Sequence, residues 1–249
     1  MRGTLHQYST SEEFVDGVVR TIVDLILKAL NEHRQATLLL SGGSTPRKIY
    51  ERLGKGASDS AIDWDGVHLF WGDERCVPPS HADSNYGMVK ESLLSQISLP
   101  EANIHRIPAE LQPDKAAAEY EKGVRQFFQT SGENMPAFDL ILLGLGEDGH
   151  TASLFPGSTA THEQTKLFTS VFVEKFAMHR VTATVPLINS GATVMMLVSG
   201  ASKAGILNEV LKESPRYYPA QLVNPKSGNL QWHVDYDAAS LFLTAGTRV

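Results

Sequence analysis

The sequence predicts an α/β protein with a doubly wound, mostly parallel sheet and helices on both faces. Two observations carry that prediction. The apolar runs ATLLL (Ala36–Leu40), LILL (Leu140–Leu143) and TVMMLV (Thr193–Val198) are short and continuous, as strands buried on both faces are. Each run breaks into a small-residue turn, SGGSTP, GLGEDGH or SGASK, and amphipathic helical patterns alternate with the strands. In open α/β proteins, loops at the carboxyl edge of such a sheet are where ligands bind.

The elements follow in order. Thr10 and Glu13 form a capping box for a long first helix, with Phe14, Val18, Ile22, Leu25 and Leu30 on its core face. Ala36–Leu40 leads through SGGSTP into the helix RKIYERL, with Thr45 expected as N-cap and Pro46 at the first helical position. The strand Val67–Trp71 ends in GDERCVP, read as a charged loop flanked by Trp71 and Val77. A helix is expected from Ser84 to Ile97, then a loop-rich stretch with Pro100, Pro108 and Pro113, then a helix over Asp114–Gln129. After the central strand and GLGEDGH, TASLF (Thr151–Phe155) reads as a first helical turn, stopped by Pro156 and Gly157. Val171–Phe176 and the alternating Val181–Val185 read as strands. Thr193–Val198 then feeds a helix with Lys203 near its start, and Pro219–Phe242 supplies a last strand and helix. No repeat, low-complexity tract or linker interrupts the chain, so a single domain over residues 1–249 is expected.

Composition narrows the function classes. A hydrophobic share of 42% and a charged share of 20% describe an ordinary globular chain. A formal charge of −6 argues against nucleic acid or an anionic membrane as partner, so an anionic ligand needs a local basic pocket. The single cysteine, Cys76, excludes an intrachain disulfide framework and suits a reducing compartment. The start MRGTLHQYSTSEE lacks the apolar core of a secretory signal, and Asp24 and Lys28 interrupt the first long apolar stretch. A cytoplasmic location is expected.

Gly42 and Gly43 leave backbone amides uncovered ahead of a helix's positive end, an arrangement suited to phosphate. The plainer reading of that loop is a tight strand-to-helix turn. No Walker pattern is present. Lys203 at a helix start is unfavourable for the helix dipole unless an anion offsets it. In the central loop, Gly144, Gly146 and Gly149 fit G-x-G-x-x-G, but Glu147 and Asp148 put negative charge where a pyrophosphate would lie. Asp73, Glu74, Glu147, Asp148 and His150 offer metal-ligand chemistry without a recognised zinc spacing, and no G-x-S-x-G elbow supports a nucleophilic serine. General acid–base work by His150 remains, because an imidazole both accepts and donates a proton near neutrality and a neighbouring carboxylate can orient it.

Taken together, SGGSTP, GDERCVP with SNYGM, LGLGEDGHTASLFPGS, HRVTATVPLIN, VSGASKA and PAQLV…WHVDYDAA resemble the 6-phosphogluconolactonase family, in order from about Leu38 to Ala239. The wider superfamily includes glucosamine-6-phosphate deaminase/isomerase. Arg75 after Asp73-Glu74, and TASLFPGS after the histidine, resemble the lactonase branch. The resemblance implies one Rossmann-like domain, no cofactor, and hydrolysis of 6-phosphoglucono-δ-lactone in the oxidative pentose phosphate pathway. It also implies a monomer or homodimer whose partner is a small sugar phosphate lactone. On this resemblance the phosphate rests on Gly42, Gly43 and Ser44, with Arg180 and Lys203 supplying charge. His150 is then the general base, and Asp73 or Glu147 supports its imidazolium. Arg75 meets either the developing oxyanion or the sugar hydroxyls.

Overall fold

The computed structural model describes residues 2–57, 61–212, 217–226 and 228–246, residues 242–246 by backbone alone. The expected domain limits at Met1 and Val249 lie outside the described residues. The chain runs through β1 (Thr4–Tyr8), α1 (Ser11–His33), β2 (Ala36–Leu40), α2 (Ser44–Lys55), β3 (Val67–Trp71), β4 (Asp73–Arg75), α3 (Asn85–Val89), β5 (Ile104–His105) and α4 (Pro113–Phe128). It continues through β6 (Leu140–Gly144), β7 (Phe168–Val173), β8 (Met178–Ala183), the single turn α5 (Val185–Ile188), β9 (Thr193–Val198), α6 (Ala204–Val210), β10 (Asn229–Asp235) and α7 (Tyr236–Gly246).

Among the described residues, seven strands form a parallel sheet in the order β1-β10-β9-β6-β2-β3-β5. Every residue of β2 and β9 is buried. Because successive strand residues point to opposite faces, both faces of the sheet are covered, as the apolar runs predict. From β2 the chain winds outward through β3 and β5, and from β6 it winds the other way through β9 and β10. The junction of β2 and β6 is therefore the topological switch point, where a crevice opens beyond the strand ends.

A second, three-stranded antiparallel sheet, β4-β8-β7, stands beside the first. Its register sets Arg75 opposite Arg180 and Asp73 opposite Thr182. The expected charged loop at GDER is thus a short strand. Burial of Asp73 and Glu74, at 5% and 2% exposure, forces their polar groups into fixed partnerships.

Other expectations need correction. Thr10 caps α1 by accepting from the Glu13 amide (3.1 Å), but the Glu13 carboxylate returns to the Ser9 amide (3.0 Å). Ile26 and Ala29 are fully buried on that helix, whereas Leu25 and Leu30 are only partly so. The cap of α2 is Gly43, not Thr45, and Pro46 sits in the helix's first turn with no side chain capping it. TASLF forms no helix: Gly149 and Ala152 take positive φ (76° and 48°), and Thr151 bridges Leu154 across a turn. The G-x-G-x-x-G resemblance fails at that point, since no helix follows it. The strand β1, polar in sequence, was not expected.

Candidate active site

Four segments meet at the switch point: the turn after β2, the strand β4 with the start of α3, the loop after β6, and the turn after β9. Together with Arg180 of β8 they enclose a cleft of about 210 Å³. Gly42, Gly43, Ser44, Asp73, Arg75, His150, Arg180 and Lys203 all line it. Glu147 does not. It is exposed.

One end is built from backbone. Gly43 takes φ 103° and ψ 171°, a conformation closed to side-chain-bearing residues, and so turns the first amides of α2 toward the cleft. The amides of Ser44 and Thr45 have no intrahelical acceptor, and the helix dipole adds partial positive charge there. Gly42 is needed for a different reason: a methyl at its Cβ would fall 1.8 Å from Asn85 Oδ1. Lys203 reaches the same cleft and forms no ion pair among the described residues. The Ser41 hydroxyl, buried in the wall, has no hydrogen-bond partner among the described residues either.

The other end holds the imidazole. His150 Nδ1 is hydrogen-bonded to Asp148 Oδ1, and the His150 amide donates to the same oxygen (3.3 Å). A carboxylate accepts, so Nδ1 carries a hydrogen, and in the neutral form of the ring the lone pair is on Nε2. Partial burial works against the Asp148 carboxylate, but its hydrogen bond to and charge interaction with His150 outweigh that and hold its pKa below the ordinary aspartate value. The ring stacks on Phe155, centroids 4.1 Å apart. Gly146 must lack a side chain, because a Cβ there would lie 2.0 Å from His150 Nδ1. The partner of His150 is therefore Asp148, neither Asp73 nor Glu147. The signal lay in the sequence as D-G-H: a carboxylate two residues before the imidazole, with Gly149 at φ 76° folding one onto the other.

Asp73 serves the cleft wall instead. Its carboxylate accepts from Ser153 Oγ (2.7 Å) and Asn85 Nδ2 (3.3 Å), and the same Asn85 nitrogen donates to the Asp73 carbonyl (2.9 Å). Ser153 also lies 3.5 Å from an Arg180 guanidinium nitrogen. Glu74 accepts from the amides of Arg75, Asn85 and Tyr86 (2.7, 2.7 and 2.8 Å) and from Ser84 Oγ (3.1 Å), so it caps α3. Burial raises its pKa despite those donors. Arg75 is tethered by a guanidinium nitrogen to the Asp83 carbonyl (2.5 Å), while its buried Nε is unpartnered. Arg180 is 7% exposed, its Nε is unpartnered, and burial lowers its pKa although Asp73 opposes that shift. Among the described residues no three His, Cys, Asp or Glu side chains converge to hold a metal ion, and no helix is long and apolar enough to cross a membrane.

A cleft with an amide cradle at one end, a carboxylate-oriented imidazole at the other, and the cations Arg75, Arg180 and Lys203 in its lining is the site of an α/β enzyme suited to an anionic small molecule and proton transfer. The chain belongs to the glucosamine-6-phosphate isomerase/6-phosphogluconolactonase family, whose sequence profile matches residues 9–232. A 6-phosphogluconolactonase of Synechocystis is 45% identical over 86% of this chain and 87% of its own length. The crystal structure of the Thermotoga maritima 6-phosphogluconolactonase superposes with a TM-score of 0.80 at 32% identity, covering 93% of this chain and 99% of that one. A monomeric glucosamine-6-phosphate deaminase shares the fold, with a TM-score of 0.82 at 20% identity over 96% of this chain and 99% of that one. The fold alone therefore does not separate the two activities.

Proposed function

We propose that the cleft hydrolyses 6-phospho-D-glucono-1,5-lactone to 6-phospho-D-gluconate, a step of the oxidative pentose phosphate pathway, with His150 as general base. The lactonase assignment rests on relatives bearing that name at up to 45% identity across most of the chain. The observation that carries the mechanism is the His150–Asp148 pair facing the same small cleft as the Gly42–Thr45 amides.

In this reading the substrate phosphate takes the amides of Ser44 and Thr45, with Lys203 and Arg180 supplying charge-assisted hydrogen bonds. The lactone carbonyl then lies toward His150. Nε2 removes a proton from water as its oxygen bonds to the carbonyl carbon, and Asp148 steadies the resulting imidazolium. Arg75, fixed by Asp83, meets the charge developing on the carbonyl oxygen. Collapse of the tetrahedral intermediate breaks the bond from that carbon to the ring oxygen. The imidazolium returns its proton to the departing oxygen, and His150 ends as it began.

The test is acid release from freshly prepared 6-phosphogluconolactone above its spontaneous rate. His150→Ala should lower kcat by roughly 10²–10⁴ with the fold intact, and Asp148→Asn should lower it by a smaller factor. Activity should persist in EDTA. Normal turnover by His150→Ala would remove the imidazole from the mechanism. Release of ammonia from an amino sugar phosphate, without lactone hydrolysis, would move the chain to the deaminase branch.

A further inference from the structure

Arg180 presents an unusual problem for an arginine. It is almost fully buried, forms no ion pair among the described residues, and has one weak hydrogen bond, to Ser153 at 3.5 Å. A long side chain so free of polar anchors would ordinarily sample several rotamers, and ordering it on a ligand would cost affinity.

Two aromatic rings hold it instead. The guanidinium carbon lies 4.8 Å from the ring centre of Phe176 and 5.5 Å from that of Phe155. The two rings meet edge to face at 6.2 Å, and Phe155 in turn stacks on His150. Contact with aromatic faces holds a guanidinium without using its N–H donors. Phe155 is a buried core residue, so packing accounts for it. Phe176 is 46% exposed, at the tip of the β7–β8 hairpin, where no packing need explains a phenylalanine. Its neighbour at that tip, Lys175, comes within 3.8 Å of the Asp148 carboxylate. The hairpin tip thus touches both Arg180 and the carboxylate that orients His150.

We propose that Phe176 is a positioning residue: it clamps Arg180 so that the guanidinium is ordered before substrate arrives. This rests on the reading of Arg180 as a ligand of the substrate phosphate. Phe176 touches neither substrate nor the reacting atoms, and acts only through the arginine.

The experiment is a double-mutant cycle on steady-state kinetics, using the phosphorylated lactone and the same lactone without phosphate. Phe176→Ala should raise KM for the phosphorylated lactone about tenfold, with kcat within about twofold and the melting temperature unchanged. Phe176→Tyr, which keeps the ring, should behave as wild type, and Phe176→Leu should resemble Phe176→Ala. In an Arg180→Ala background, or Arg180→Lys where that variant folds better, Phe176→Ala should add nothing. Restoration by Leu, additive effects in the double variant, or an unchanged KM would each overturn the proposal. If Arg180→Ala affects both lactones equally, the phosphate reading of Arg180 fails. The clamp then stands only if Phe176→Ala reproduces that same change and remains non-additive with it.

Discussion

Two strand-to-helix turns flank β6, one after β2 and one after β9, and they use nearly the same backbone for different ends. Gly43 (φ 103°, ψ 171°) and Gly200 (φ 99°, ψ 149°) take closely similar conformations, and neither turn has a side-chain cap. After β9 the protein supplies its own anion. Asp235 accepts from the Gly200 amide (3.1 Å), from Ser199 Oγ (2.6 Å) and from the Ala238 amide at the start of α7 (2.9 Å). After β2 no carboxylate accepts a hydrogen bond from the Gly42–Thr45 amides among the described residues; the close neighbour of Gly42 is the neutral Asn85. In the proposed reading, an amide-rich turn becomes a ligand site where the protein withholds its own counter-charge. The filled turn contributes a cation, Lys203, in place of amides.

That contrast can be broken at several points. Asp235→Ala strands three donors and should destabilise the protein by about 3 kcal/mol, read as a shift in the urea midpoint. A neutral effect would mean that the second turn does not need its internal anion. Lys203→Ala removes a charge-assisted contact, so KM for the phosphorylated lactone should rise roughly 10- to 100-fold, with little change for a lactone lacking phosphate. Equal losses on both would detach Lys203 from the phosphate.

A third measurement lies on β10, the strand that carries Asp235. His233 is fully buried: it accepts from Tyr8 Oη at Nδ1 (2.8 Å) and donates from Nε2 to Gln231 Oε1 (3.0 Å). Burial, with the charge of His6 as a smaller cause, pushes its pKa down to about 3. The unfolded chain takes up a proton near the ordinary histidine value and the folded chain does not. Stability therefore falls as pH drops below about 6.5 and levels off near the folded pKa. Between pH 7 and pH 5 the expected loss from this group is about 2 kcal/mol, and a His233→Gln variant should show that much less acid sensitivity. The smallest expected effect compares the two glycines. Gly43→Ala and Gly200→Ala should cost similar stability, since a methyl at either meets strain from φ rather than a clash. Only Gly43→Ala should raise KM, by about tenfold. Equal kinetic effects would erase the distinction between the turns.

Much of the frame was legible in the sequence because β2, β6 and β9 are short, continuous apolar runs, as strands buried on both faces are. The small sheet was not. β4 is three charged residues, DER, whose strand character comes from pairing with β8 and from buried partners rather than from any local pattern. β1 (TLHQY) is a partly exposed edge strand, and β5 has two residues. TASLF misleads because helical propensity is weak beside the turn geometry that Gly149 and Ser153 impose. At the site, most residues named from the sequence gather in one cleft. The exception is instructive: Glu147 and Asp148 are adjacent carboxylates, and only the fold of the turn decides which one faces the imidazole.

Asn85 gives the cleft a property beyond any single contact. Its oxygen fills the space beside Gly42, while its nitrogen ties down Asp73 and, through Ser153, the wall that meets Arg180. The floor of the anion cradle and the cation opposite are thus fastened by one amide. Redesigning the enzyme for a longer or shorter sugar acid would have to move both ends together, starting at this asparagine.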